Sequence, residues 1–196
     1  MFARIFIFMT ILAMLVSACT PAQPTDSREA IKNELQPILT AMLTGNVTDQ
    51  LALIQYIEAE CTNVPGFGGP PSCSEGVPEG TVIAGFPILG SEGYLASPEE
   101  MEGFLIDVLP KNLYAVYRVT PSPNDDAYFP VGEYAMLFER EFNDSPLPIT
   151  LRVMDGKIVR LDYLMVNSLA DALQNIPLEQ IIISPQEAIA WSEQSR

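Results

Sequence analysis

Two runs rich in apolar and β-branched residues, Ile149 to Val153 and Ile158 to Met165, flank Met154-Asp155-Gly156-Lys157. This is the strongest local constraint in the chain, because Asp-Gly between two such runs closes an antiparallel hairpin. Burial then selects the register. A two-residue Asp155-Gly156 turn sets Leu151 opposite Arg160 and Ile149 opposite Asp162. A three-residue loop, with Gly156 as the left-handed bulge residue, pairs Leu151 with Val159 and Ile149 with Leu161. The second register makes one face wholly apolar, and a slip of one residue exchanges the faces. The bulged hairpin is therefore expected.

The patterns before the hairpin alternate between helix and strand. Asp26, with Glu29 three residues on, reads as a helix cap, and Ile31, Leu35, Ile38, Leu39 and Met42 share a helical face. Pro37 inside that run predicts a kink or interruption, and Gly45-Asn46 a stop. A second amphipathic stretch, about Thr48 to Glu60, carries Leu51, Ile54 and Ile57. Thr81 to Leu89 reads as a strand, and Pro87 suggests that it lies at an edge. Ser97-Pro98-Glu99-Glu100 is a helix start with cap, first-turn proline and capping-box glutamate. Met101, Phe104, Leu105 and Val108 form its buried side, and Pro110 closes it. Leu113 to Val119 and Glu133 to Phe142 are strands, the latter with Tyr134, Met136, Phe138 and Phe142 on one side. Beyond Val166, Asn167 is a candidate cap for Leu169 to Leu173. Ile181-Ile182-Ile183 is a short strand or packing segment, and Ser184-Pro185-Gln186-Glu187 opens a last helix bearing Trp191.

The first eighteen residues have one charge, Arg4, followed by an apolar run from Ile5 to Val16 broken only by Thr10. That is signal-peptide length, short of the roughly 20 residues of a membrane span. The run ends in Leu15-Val16-Ser17-Ala18-Cys19, which resembles the lipobox of bacterial lipoproteins. The resemblance covers only the leader. It implies removal of residues 1–18, acylation of Cys19, a lipidated tether at 19–25 and a single domain at 26–196. It implies a cell-envelope location on the extracytoplasmic side of a membrane, which becomes the partner through lipid on Cys19. Two or three acyl chains matter because one anchors only marginally. Thr20 in place of aspartate favours the outer membrane if the source has one.

With Arg4 set aside from 10 basic residues against 25 acidic ones, the exported part carries a net charge of −16. Such a chain has no footprint for a phosphate backbone, so nucleic acid is excluded as a partner. It is also repelled by anionic membrane surfaces, which leaves attachment to the lipid. Cys61 and Cys73 bracket a Gly/Pro-rich loop, and an even pair in an oxidising compartment reads as a disulfide.

The chain has no histidine. Ser-His-Asp triads, Cys-His pairs and His-ligated zinc are therefore unavailable. Gly66-Phe67-Gly68-Gly69 lacks the strand-to-helix context of a dinucleotide loop. Asn124-Asp125-Asp126 lacks the ligand alternation of an EF-hand. No metal or cofactor is implied. Glu133, Glu139 and Glu141 share a strand face, where a carboxylate pair would suit glycoside hydrolysis, although a solvated face has the same pattern. Arg140, Arg152 and Arg160 are candidates to pair with acids across the sheet. Among Tyr114, Tyr117, Tyr128, Phe129, Tyr134 and Phe138, the possible pocket residues are Tyr114, Tyr117, Tyr134 and Phe138. The same residues also suit a core.

Helices followed by antiparallel strands predict an α+β fold. The order of two helices, a strand, a capped helix and a meander ends in the hairpin Val153 to Arg160. This is similar to the cone-shaped nuclear transport factor 2-like superfamily, over Asp26 to about Val166. The resemblance implies N-terminal helices packed on a curved antiparallel sheet with a pocket between them, followed here by a short helical tail. It implies no activity. The expected role is a non-enzymatic domain binding a small ligand or an envelope protein. The alternatives are a structural assembly factor of an envelope complex and a carboxylate-based envelope hydrolase.

Overall fold

A computed structural model describes residues 25–64, 69–90, 93–108, 110–121, 128–142, 145–163 and 168–196. Cys19 and the leader, the Gly66-Phe67-Gly68 and Asn124-Asp125-Asp126 segments, and Asn167 lie outside the described residues. The chain divides into two units, residues 1–32 and 33–196. The described part of the first is helical from Thr25 to Lys32. The second holds the rest of that helix and everything after it.

The fold is α+β, with helices and an open, curved eight-stranded sheet. Helix α1 spans Thr25–Thr44 and α2 Val47–Leu53. Strand β1 is Ile57–Glu60, β2 Val82–Leu89 and β3 Tyr94–Ala96. Helix α3 is Pro98–Asp107, and strands β4 to β7 are Pro110–Arg118, Tyr134–Phe142, Ser145–Met154 and Lys157–Tyr163. The remainder is α4 (Leu169–Leu173), a short 3-10 turn, β8 (Ile181–Ile183) and α5 (Pro185–Gln194). The strand order is β1-β2-β7-β6-β5-β4-β8, with β3 on β2. Every pairing of these strands is antiparallel except β2 with β7.

Local chemistry accounts for most element ends. Ser97 and Glu100 form the reciprocal capping box that starts α3. At α5, the Ser184 N–H and hydroxyl both donate to Glu187. Asn46 Oδ1 accepts from the N–H groups of Thr48 and Asp49 and caps α2. Gly45, at φ 68°, turns the chain between α1 and α2.

Several expectations are corrected. Asp26 lies within α1, which is already helical at Thr25. The helix runs through Pro37 without interruption. Leu35, Ile38 and Leu39 are fully buried around it, and their burial outweighs a proline penalty of about 3 kcal/mol. The amphipathic stretch from Thr48 ends as a helix at Leu53, and its second half is β1, where Ala59 is buried and Glu58 and Glu60 are exposed. Pro87 is not at a sheet edge, because Ile88 beside it pairs with Tyr94 on β3 and with Leu161 on β7. Ser168, whose hydroxyl accepts from the Asp171 N–H, is the cap of α4.

The hairpin departs from expectation in a useful way. Its turn is the two-residue Asp155-Gly156, both at positive φ (51° and 67°), between the pairs Met154–Lys157 and Val153–Ile158. The extra residue is Val159, inside β7. Beyond it Leu151 faces Leu161, and Ile149 faces Tyr163. Burial does select an apolar face, but the bulge that achieves it sits in the strand, not at the turn.

The main core lies on the sheet face carrying Leu113, Met136, Phe138, Ile149, Leu151 and Leu161, all buried. Met42 of α1 and Leu105 and Val108 of α3 meet Ile149, Leu151 and Leu161 there. The other face is covered as well. Tyr117, Ala135 and Leu137 are buried on it, against Leu169, Ala172, Leu173 and Ile176 from the α4 region. The disulfide Cys61–Cys73 is formed. Among the described residues no helix is long and apolar enough to cross a membrane.

Candidate functional site

Alternation along β6 and β7 puts Thr150, Arg152, Arg160 and Asp162 on the second sheet face, where Thr150 pairs with Asp162 and Arg152 with Arg160. Asp162 is only 3% exposed. Its carboxylate accepts from Arg152 Nε at 2.7 Å and from Arg160 Nε at 2.6 Å, with Arg160 Nη2 at 3.2 Å. Arg160 Nη1 also donates to the Phe129 carbonyl at 2.9 Å. Two guanidiniums thus share one buried carboxylate, and Arg160 meets it through two nitrogens, a fork that lysine cannot make. Tyr117 stands beside this cluster. Burial raises its pKa; Arg152 opposes that rise and Asp162 adds to it, with Thr150 and Arg160 acting in the lowering direction. Thr150 Oγ1 is buried without a partner in hydrogen-bonding geometry.

The aromatic candidates separate. Tyr134 and Phe138 belong to the main-core face, Phe138 fully buried and Tyr134 beneath the Arg118 guanidinium, 5.5 Å from the ring centre. Tyr117 belongs to the second face, and Tyr114 packs against its cluster, half-buried. Phe129 is buried and Tyr128 exposed. The structure does not bring the four candidate tyrosine and phenylalanine side chains into one cavity.

One of them does line a cleft. Where β4, β5 and α5 meet, a cavity of about 360 Å³ opens to solvent, within the usual size range of ligand sites. Its apolar wall is Leu113 and Tyr114 of β4, Leu169 of α4, and Pro185 and Ile189 of α5; its polar groups are Asn112, Glu139, Ser192, Glu193 and Arg196. Strand β4 supplies consecutive lining residues because its pairing with β5 shifts register between Leu113 and Ala115. Helix α5 supplies Pro185, Ile189, Ser192 and Glu193 by helical spacing. Ile189 is 61% exposed, an apolar side chain left uncovered at the cleft.

The polar lining is ordered. Arg196 Nη2 donates to Asn112 Oδ1 at 2.6 Å and to the Lys111 carbonyl, and Asn112 Nδ2 donates to Glu139 Oε2 at 3.1 Å. Ser192 is 4% exposed and its Oγ has no hydrogen-bond partner. Of the acidic strand face, Glu139 alone reaches the cleft. Glu133 and Glu141 are exposed, and Glu141 is paired with Lys111. Among the described residues no group of three or more acids or cysteines gathers as a metal site.

Sequence reasoning named Tyr114 and Glu139 but not Ser192, Arg196, Asn112 or Asp162. Asp162 had a signal, since Arg160 and Asp162 share a strand face two residues apart. The others come together through the β4–α5 packing, which no local pattern encodes. Compared with known proteins, the chain matches no protein-family model, and no curated protein is detectably similar to it.

Proposed function

We propose that the chain is an exported lipoprotein, acylated at Cys19 and held on the extracytoplasmic side of a membrane, whose domain binds a small molecule without transforming it. The observation that carries the binding reading is the cleft of about 360 Å³ beside α5, with its exposed Ile189 and the polar residues Asn112, Glu139, Glu193 and Arg196 in its lining. A ligand site is expected to combine an apolar wall with a few convergent polar groups. Supporting the location are the apolar leader that ends at Ser17-Ala18-Cys19 and a disulfide of the kind that persists outside the cytoplasm. The kinship with the nuclear transport factor 2-like superfamily is part of the same proposal, supported by helices ahead of an antiparallel β4–β7 meander. The absence of histidine from the chain supports the non-enzymatic reading.

The anchor is tested by labelling cells with a radioactive fatty acid. The wild-type protein takes up label and partitions into the detergent phase, and Cys19→Ala abolishes both. A wild-type protein without label overturns the lipoprotein reading. The binding reading is tested by native mass spectrometry of the purified protein followed by denaturation. Extra mass released on unfolding is the expected result, and a bare mass under both conditions counts against it.

A further inference from the structure

We infer that the open cleft between the disulfide loop and β3 is a second binding site, one that takes a single ring of an uncharged oligosaccharide. Its volume is about 280 Å³, just under the usual range for drug-sized ligands and small enough to select one ring over a larger body. One wall carries Pro70, Ser72 and Ser74; the other carries Tyr94 of β3 with Ser97 and Glu100 at the start of α3. The first wall is fixed by the Cys61–Cys73 bridge. It is also held by the Thr62 N–H, which donates to the Pro71 carbonyl at 2.9 Å, and by the Cys73 N–H, which donates to the Thr62 carbonyl at 3.0 Å. A wall held in place beforehand leaves little ordering entropy for a ligand to offset.

Tyr94 sets the shape of the ligand. Its side chain is 44% exposed and, among the described residues, has no hydrogen bond or ring partner. An uncovered phenol at a cleft wall offers a flat apolar face with a polar rim. A pyranose ring has the matching form, a face of C–H groups that stacks on such a ring, edged by hydroxyls that donate and accept. The groups around Tyr94 answer those hydroxyls. Ser97 Oγ accepts from the Glu100 N–H at 3.3 Å, which leaves its O–H to donate. Glu100 Oε2 accepts from the Ser97 N–H at 2.7 Å, and Oε1 stays open. Ser72 and Ser74 are exposed, their hydroxyls unpaired among the described residues. Charge sets the ligand class. The lining holds one carboxylate and no lysine or arginine, and the sequence from Asn33 to Pro110, which supplies all of it, has no basic residue. An anionic ligand finds no counter-charge there, and an apolar one strips water from the hydroxyls without replacing it. One surface carboxylate attracts a cation only weakly, which leaves the neutral polyol.

The test titrates chitotriose, cellotriose and maltotriose into the full-length protein in nanodiscs of zwitterionic lipid, with trigalacturonate and trilysine as charged controls. Calorimetry gives the affinity, and saturation-transfer NMR, which reads the ligand's own protons, shows which ring face meets the protein. At least one neutral trisaccharide is expected to bind, with the strongest transfer to the C–H face of one ring, and neither control to match it. Tyr94→Ala should weaken binding about tenfold, the loss of a stacking contact, whereas Tyr94→Phe keeps the ring and should retain most of the affinity. The cleft beside α5 does not contain Tyr94, so that pair of results assigns the binding to this site. Glu100→Gln preserves the capping box and should change the affinity by less than about fivefold. Circular dichroism checks that each variant is folded, and the double variant Ser72→Ala/Ser74→Ala, at exposed positions, takes the place of Tyr94→Ala should that one unfold. A control that binds as tightly as the best trisaccharide overturns the assignment; trilysine binding that is lost in Glu100→Gln reassigns the cleft to a basic peptide. No binding of any neutral trisaccharide, or binding untouched by the Tyr94 and serine substitutions, overturns it as well.

Discussion

Trp191 donates its indole N–H to Gln36 Oε1 at 2.7 Å, joining helices whose residues lie 155 positions apart. The same Gln36 amide donates to Ser195 Oγ at 2.8 Å. One side chain of α1 therefore holds α5 at two points, and α5 forms one wall of the cleft. Gln36→Ala leaves the buried indole N–H unpaired and is expected to cost about 1–3 kcal/mol. Urea denaturation measures the loss, and a shifted Trp191 emission maximum locates it.

Asp162 neutralises two arginines inside the second layer. Asp162→Asn keeps the shape but leaves both guanidiniums without a counter-charge, which is expected to destabilise by about 3–5 kcal/mol. A denaturation midpoint unchanged from wild type would rule out the cluster as a contributor to stability.

Tyr117 and Tyr163 both have pKa values raised above 10.0, chiefly by burial. A raised phenol keeps its proton longer in the folded chain than in the unfolded one. Its contribution is complete below pH 10 and is lost as the pH rises from 10 towards the folded-state value. Stability should therefore fall between pH 10 and 11, and Tyr163→Phe should flatten the fall. Urea midpoints at pH 9, 10 and 11 provide the measurement.

The turn residue Gly156 sits at φ 67° and donates its N–H to Glu34 Oε1 at 3.2 Å. A side chain there pays the left-handed penalty of about 1–2 kcal/mol, so Gly156→Ala should lower stability by that amount. Asp155→Asn, at φ 51°, should be nearly neutral, because asparagine tolerates this region. Thermal unfolding of the two variants side by side makes the comparison.

Reduction of Cys61–Cys73 releases a loop with a sequence separation of 12. A bridge closing a loop of this size contributes about 3 kcal/mol. Chemical denaturation with and without dithiothreitol, and of Cys61→Ser/Cys73→Ser, should agree on the loss.

Local chemistry explains why the sequence reveals so much of the fold. The boxes at Ser97 and Ser184 and the alternation of β5 are each complete within a few residues; the hairpin around Asp155-Gly156 is legible as a hairpin, but its two-residue turn is not, because the compensating bulge at Val159 lies inside β7. The errors arise where long-range packing decides. Pro37 is tolerated because of what Leu35 and Ile38 bury, and residues 57–60 become a strand because β2 is there to pair with them. The cleft was only partly legible for the same reason. Tyr114 and Glu139 advertise chemistry in the sequence, whereas Asn112 and Arg196 join the cleft only through packing between β4 and the end of α5.

The covering of both sheet faces also dictates a timetable. Strand β8 pairs with β4, α4 seals the second face, and Gln36 closes on Trp191 and Ser195. A chain made from its amino end displays Tyr117, Ala135 and Leu137 uncovered until residues 168–196 have arrived. Residues 168–196 must therefore be made before either the fold or the cleft beside α5 can be finished. Until then the uncovered layer is a surface that a chaperone would have to shield.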